Sequence, residues 1–235
     1  ASPYYGSLIP LRKIQIFADY NGTRYYLFTG FITNYVTNFT IGTDEVSRVQ
    51  LQCVDAFRLF SGALVTSIPG TPAGQLSGAR VEAILDEIDY PSSLRDIDAG
   101  DTTLQADPGT PRNALEALRT VEDSELGGFY VDAEGRATFL SRDAITASLG
   151  SIAYDFADDG SGIAFQNASV NYDADILLND VTVTRLGGTA QNAFDQDSID
   201  TYFIHSGSRT DVLMETDDVA LSMAQMILST RSDVE

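Results

Sequence analysis

The sequence predicts a mainly β chain with an α+β insertion, and three observations predict it. Residues 11–53 fall into runs that alternate apolar and polar side chains, the period of half-buried strands. Residues 77–150 switch to helical spacing, and from about residue 163 the chain returns to strand-like runs. The expected organisation is a barrel-like antiparallel β domain over 1–75, a helix–helix–hairpin module over 76–150, and a second barrel-like antiparallel β domain over 151–235 that closes on a helix.

In the first region, "RKIQIFA" sets Ile14 and Ile16 against Lys13 and Gln15. "YNGT", Tyr20 to Thr23, puts Asn-Gly between two β runs. That is a strong hairpin signal, because a type I′ turn needs positive φ at both central residues. The next run, "RYYLFTGFITNYVTNF", is too long for one ordinary strand, and Gly30 is expected to mark a bulge or bend in it. In "VSRVQLQCV", Val46, Val49, Leu51 and Cys53 offer apolar side chains, so the region reads as a small antiparallel barrel or sandwich. "DAFRLFSG" reads as a short helix with Asp55 as N-cap and Gly62 just past its end. Its Phe57, Leu59 and Phe60 are expected to plug or flank the barrel. The Pro- and Gly-rich "IPGTPAGQLSG" marks a boundary.

Val81, Ile84, Leu85 and Ile88 then recur at helical spacing, with Ser77 as the expected cap. A second helix carries Thr110 as cap, Pro111 in its first turn, and Leu115, Leu118, Val121 and Leu126 on its inner face. The stretch "LGGFYVDAEGRATFLSR" follows at once. Gly127 or Gly128 should end the helix, Gly135 should sit in a hairpin turn, and Phe129 or Tyr130 should pack on the helix of Leu115 and Leu118. Beyond it, "IAFQNASVNY", "ILLNDVTVTRL" and "DSIDTYFIH" read as strands. "TDDVALSMAQMILST" reads as a helix capped by Thr216, with Ala220, Met223, Ala224 and Ile227 as its apolar stripe. The chain begins on Ala1 and closes just after this helix, which reads as part of a longer polypeptide.

Composition narrows the function. With 235 residues and 43% hydrophobic content, the chain is long enough for a packed core, and no apolar run reaches the ~18 residues of a membrane span. Fourteen basic residues against 34 acidic ones give a net charge of −20. Nucleic acid demands phosphate neutralisation by Lys and Arg, so binding to it is disfavoured. The single cysteine, Cys53, excludes an intramolecular disulfide and a cysteine zinc cluster, and the single histidine excludes a His-rich metal site.

Each candidate for chemistry also has a plainer reading. His205 lies beside Ser206 and Ser208, but neighbouring strand residues face opposite ways, and no G-x-S-x-G elbow is present. The acidic runs "DFADDGSG" (155–162) and "DQDSID" (195–200) invite a calcium loop, yet position 12 is Gln166 in one and Ser206 in the other, where a bidentate Glu is required. They read as solvated turns, with an irregular cation site as the alternative. Tyr4, Tyr5, Tyr20, Tyr25, Tyr26, Phe28 and Phe31 suit a β core or a subunit interface better than a sugar platform. Three glycosylation sequons, at Asn21, Asn38 and Asn167, matter only in a eukaryotic secretory setting. No catalytic, cofactor-binding or metal-binding residue is assigned, and no cofactor is expected.

Taken in order, several blocks are similar to one family. "PLRKIQIFADYNGTRYYLFTGFITNY", "VQLQCVDAFRLFS", "AILDEIDYPSSLRDIDAGDTTLQA", "ALEALRTVEDSELGGFYVDAEGRATFLSR", "LLNDVTVTRLGG" and "DSIDTYFIHSGSRTDVLMETDDVALSMAQMIL" resemble successive parts of siphophage minor tail proteins of the baseplate-hub, or tail-associated, family of actinobacteriophages. The resemblance spans nearly the whole chain and departs from the pattern at "YFIHSGSR", where the family has a shorter turn before the arginine. It implies a structural virion protein without catalytic residues in this core. It implies two barrel-like domains per chain and a homotrimer, whose six barrels ring the tail lumen at the tail tip. Implied partners are the distal tail protein and tail tube, tip or fibre proteins, and the tape measure protein. DNA would pass through the lumen without specific binding. A tail-associated cell-wall hydrolase, a carbohydrate-binding host-attachment module and the distal tail protein are the alternatives.

Overall fold

In a computed structural model of the chain, residue 6 and residues 9–38, 48–150, 154–169 and 176–233 are described. Tyr4, Tyr5, Val46, the sequon residues 39–40 and the 170–172 end of "IAFQNASVNY" lie outside them. The chain opens with a meander, β1 (Arg12–Tyr20), β2 (Thr23–Asn38) and β3 (Arg48–Val54), all antiparallel. Asn21 and Gly22 turn the first hairpin at φ 50° and 80°, as the Asn-Gly pair predicts. The long β2 is interrupted not at Gly30 but at Leu27 and Thr33, the extra residues where the register shifts against β1 and β3. Gly30 serves close approach instead. A Cβ there would collide with the Val54 carbonyl and with the Phe28 ring that covers it.

After the meander, α1 (Phe57–Gly62) begins where the Asp55 carboxylate accepts the Phe57 N–H at 3.1 Å. Short strands β4 (Leu64–Val65) and β5 (Gln75–Leu76) lead into α2 (Ser77–Glu87). Then come β6 (Arg95–Ile97), β7 (Thr103–Leu104), β8 (Arg112–Asn113) and α3 (Ala114–Glu125). Three helix ends differ from expectation. Gly62 is the last residue of α1, not the one past it, and Ala63 is the C-cap. Ser77 does not cap α2; its hydroxyl donates to the Glu125 carboxylate at 2.8 Å. In α3 the cap is Asn113, which accepts the Glu116 N–H at 2.8 Å, while Arg112 and Asn113 pair with β4.

Helix α3 ends on Leu126, which itself takes the left-handed conformation at φ 57°. Gly127 is needed for another reason: a Cβ on it would lie 2.5 Å from the Leu140 carbonyl oxygen. The hairpin is β9 (Gly128–Val131) with β10 (Ala137–Leu140). Phe129 packs into the core with Leu118, and Gly135 holds the turn at φ 84°. A Cβ on Gly135 would meet Thr29 Cγ2 of the meander at 2.6 Å. Gly135→Ala should therefore cost about 1–3 kcal/mol, from the positive φ and the clash together, measured by urea denaturation.

In the same turn, Asp132 accepts from the Arg136 N–H at 2.8 Å and from the Arg136 guanidinium at 2.7 Å. Burial would raise this carboxyl, but the bonds from Arg136 outweigh it and hold it below the ordinary value of 3.8. A carboxylate with a lowered folded pKa stabilises fully above its unfolded pKa and loses that effect as pH falls through the folded value. The stability difference between wild type and Asp132→Asn should be constant above about pH 5 and shrink on acidification below the unfolded pKa of ~3.9. Chemical denaturation across that range measures it.

The remaining elements are α4 (Arg142–Leu149), β11 (Asp180–Arg185), β12 (Gln191–Phe194), α5 (Gln196–Tyr202), β13 (Ser206–Val212) and α6 (Asp217–Arg231). Helix α4 is not predicted by the sequence pattern, because none of its residues is buried and it has no continuous apolar stripe. The predicted strand "DSIDTYFIH" is largely α5, started by the Asp195 carboxylate accepting the Ser198 N–H at 3.1 Å. Thr216 caps α6 as expected, and Ala220, Met223, Ala224 and Ile227 are its buried residues.

Helix and strand occur in similar amounts, so the fold is mixed α/β rather than mainly β. The pairing is also mixed: β6 runs parallel to β10, and β11 parallel to β13. The connection through β12 and α5 returns the chain to the start of β11, which makes that parallel pair possible. Among the described residues each sheet has two or three strands and none closes into a barrel, since closure leaves no free edge. Two cores form. One joins Phe60 of α1, Ile84 and Leu85 of α2, Leu118 and Val121 of α3, and Phe139 of β10. The other packs α6 on Val181, Val183 and Met214. Leu104 and Met214 form a β-bridge, and Gln105 N–H donates to the Leu213 carbonyl at 2.8 Å. The cores are thus stitched by main chain.

Candidate functional site

The residues that the sequence singles out do not converge. His205 Nε2 lies 3.1 Å from the Tyr202 carbonyl oxygen, and its main-chain N–H donates to Asn179 Oδ1 at 2.7 Å, a link between the residue before β13 and the residue before β11. Cys53 is a half-buried free thiol on β3. In the first acidic run, Asp159 accepts from the Ser161 N–H at 2.9 Å and hydroxyl at 2.6 Å, the local turn that an Asp at this position makes. In the second, Asp195 is a helix cap. Among the described residues no group of three or more His, Cys, Asp or Glu side chains is arranged to hold a metal ion. No helix among them is long and apolar enough to cross a membrane.

What the fold does assemble is two surfaces. The first is one face of the meander. Cross-strand partners share a face, so Ile14, Ile16, Phe28, Ile32, Leu51 and Cys53 lie together. Ile32 is buried, but Ile16, Leu51, Val49, Tyr25 and Tyr20 are exposed. The middle of β2 is tied inward, by Thr29 Oγ1 donating to the Ala133 carbonyl at 2.8 Å and by Phe31 packing on the larger core.

The second is a cleft of about 1140 Å³ between the end of α3 and α4 on one side and β13 and the end of α6 on the other. Its apolar lining includes Leu126, Ile145, Leu178, Val181, Met226 and Ile227. Four of the chain's 14 basic residues, Arg119, Arg142, Arg209 and Arg231, stand around it against three acids, Glu122, Asp123 and Asp143. Arg119 pairs with Glu122, and Arg209 with Asp123 at 3.4 Å. Arg142 and Arg231 form no ion pair among the described residues, and Arg142 Nε is buried without a hydrogen-bond partner.

No family model and no curated protein matches the sequence. Solved structures do match. The 43 kDa tail protein of prophage MuSo2 from Shewanella oneidensis aligns with a TM-score of 0.50 at 13% identity, over 94% of this chain and 62% of that one. The tail protein from Neisseria meningitidis MC58 aligns with a TM-score of 0.54 at 13% identity, over 89% of this chain and 61% of that one. The chain is similar in fold to these tail proteins. It spans about three-fifths of the length of each.

Arginines beside apolar side chains bind carboxylates and the residues that flank them. The cleft was not legible in the sequence, because its arginines come from α3, α4, β13 and α6. The one available signal is their scarcity in a chain of net charge −20.

Proposed function

We propose that the chain is a structural component of a phage tail and forms the hub at the tail tip. The observation that carries this reading is the likeness in fold to two tail proteins over 94% and 89% of the chain. The ordered sequence resemblance to baseplate-hub proteins favours the hub within that class. In this reading three copies, each contributing two barrel-like β domains at 1–75 and 151–235 on either side of the 76–150 insertion, complete a ring. The distal tail protein and tail tube lie on one side, and the tip or fibre proteins and the tape measure protein on the other. The ring opens for DNA ejection. A net charge of −20 suits a lumen that passes DNA without holding it. A lumen potential that is neutral or positive in the assembled ring would argue against that role.

The exposed apolar meander face fits the same reading, since a contiguous apolar patch on a subunit marks an interface. Ile16→Asp with Leu51→Asp should leave the isolated chain's stability within about 0.5 kcal/mol, both sites being exposed. It should lower the assembly constant about tenfold or more, a change of roughly 1.4 kcal/mol. Native mass and electron-microscopic symmetry of the full chain test the proposal as a whole. Threefold rings are expected. Sixfold rings would move the assignment to the distal tail protein, and a chain that stays monomeric at high concentration would overturn it. Tyr20 and Tyr25 are exposed near the hairpin tip, which keeps a host-saccharide module as the second reading. Binding of cell-wall saccharides by monomers would favour that module.

A further inference from the structure

The cleft has a counterpart in the same sequence. Residues 154–165, "YDFADDGSGIAF", carry three acids and no base. Their apolar side chains sit in water: Tyr154 is 72% exposed, Phe156 62%, Ile163 47% and Phe165 44%. The segment nevertheless has a shape of its own. Phe156 and Ile163 form a β-bridge, Ile163 N–H donates to the Asp155 carbonyl at 2.8 Å, and Ala157 N–H to the Ile163 carbonyl at 3.2 Å. Among the described residues it belongs to neither core. Among the described residues the segment is thus acidic, aromatic and exposed, and the cleft sets four arginines around an apolar floor.

We infer that the segment 154–165 of one copy docks in the cleft of a second copy. Three features of the cleft fit that occupant. At about 1140 Å³ and open, it exceeds the ~300–1,000 Å³ typical of small-molecule sites. Its charges complement the segment: Arg142 and Arg231 are without ion pairs among the described residues, and the Asp123 partner of Arg209 is itself exposed. It is also bordered by β13, the edge of its sheet among the described residues. The His205 carbonyl accepts from Asn179 and Asp180 N–H on the β11 side, so Ser206 and Ser208 turn their main-chain groups outward. An extended segment laid along that edge gains main-chain hydrogen bonds, with Phe156 or Phe165 set on the apolar floor.

A contact between one patch and a different patch is heterologous, and such contacts close into rings when the rotation allows. The inference therefore rests on the ring reading and names one of its joints. The test uses the full chain, prepared in a light and a heavy isotopic form, with Phe156 replaced by a photo-crosslinking phenylalanine analogue. The two forms are mixed before assembly. The expected product is a light–heavy crosslink from position 156 to peptides of α4 or of the α6 end.

Crosslinks confined to single chains would mean that the segment closes over its own cleft and would overturn the inference, as would crosslinks to β1–β3. A charge test runs beside it. Arg231→Glu should raise the concentration for half-assembly about tenfold, and adding Asp158→Lys to the same chain should recover most of that loss, with unchanged melting of both variants. No change with Arg231→Glu would overturn the inference. Threefold rings without cleft crosslinks defeat this joint and leave the hub reading standing. Monomers without crosslinks defeat both.

Discussion

Replacing Glu125 by Ala should destabilise the chain by about 3–5 kcal/mol, a fall in Tm of roughly 6–20 °C. Glu125 is fully buried and has no ion-pair partner among the described residues. Its carboxylate accepts from the Ser77 hydroxyl at 2.8 Å, Thr102 N–H at 2.9 Å, Asp101 N–H at 3.0 Å and Arg142 N–H at 3.3 Å. Those donors belong to the start of α2, the loop before β7 and the start of α4, so one side chain closes three backbone segments around the end of α3. Truncation removes the acceptor and leaves buried donors facing a cavity, which costs more than the bonds themselves contribute. Glu125→Gln keeps the shape but sets an NH2 group against donors, and should cost less, about 1–3 kcal/mol. Urea denaturation of the two variants measures both. Equal, small losses would show that water reaches the donors once the carboxylate is gone.

Glu125 also marks where the sequence stops being informative. The apolar stripes of α2, α3 and α6 are legible, because Val81, Ile84 and Leu85, then Leu118 and Val121, then Met223 and Ala224 recur at helical spacing and are all buried. The Asn21-Gly22 turn is legible because few residues tolerate its backbone conformation. Nothing in the local pattern distinguishes Glu125 from the exposed acids of α3, since one of its partners, Ser77, lies 48 residues away. The same distance effect hides the parallel pairs: β6 meets β10, and β11 meets β13, only after intervening elements have returned the chain. Leu126 is hidden for a different reason. Left-handed backbone points to glycine, two glycines follow, and here packing on the smaller core holds a leucine in the cap instead. The cleft compounds these effects, being assembled from four elements whose arginines are unremarkable one by one.

Phe60→Ala is the second large effect, and it bears on how the meander relates to the insertion. Phe60 is fully buried, with ring centroids 5.0 Å from Tyr90, 6.0 Å from Phe129 and 6.2 Å from Phe57. It joins α1, which follows directly on β3, to the core built by α2, α3 and the β9–β10 hairpin. Removing the ring should cost about 3–5 kcal/mol from lost burial and the cavity left behind. Phe60→Leu keeps most of the apolar area and should cost about 1–2 kcal/mol. Where that loss appears is as informative as its size. If residues 1–75 behave as a domain with its own stability, hydrogen exchange in β1–β3 should stay as in the wild type while the insertion loosens. If the meander depends on its seat, where Thr29 bonds Ala133 and Gly135 presses on Thr29, exchange in β2 should rise together with that of β9 and β10. The second outcome is the one expected. The exposed strands β1 and β3 contribute few of the buried contacts a sheet needs to stand alone, and three strands with one open apolar face gain stability by packing on another layer. In a free subunit that layer is the insertion; in the proposed ring, the open face of the same sheet gains a neighbour as well. Assembly should then slow exchange in β1 and β3 most, and Phe60→Ala should weaken assembly as well as folding.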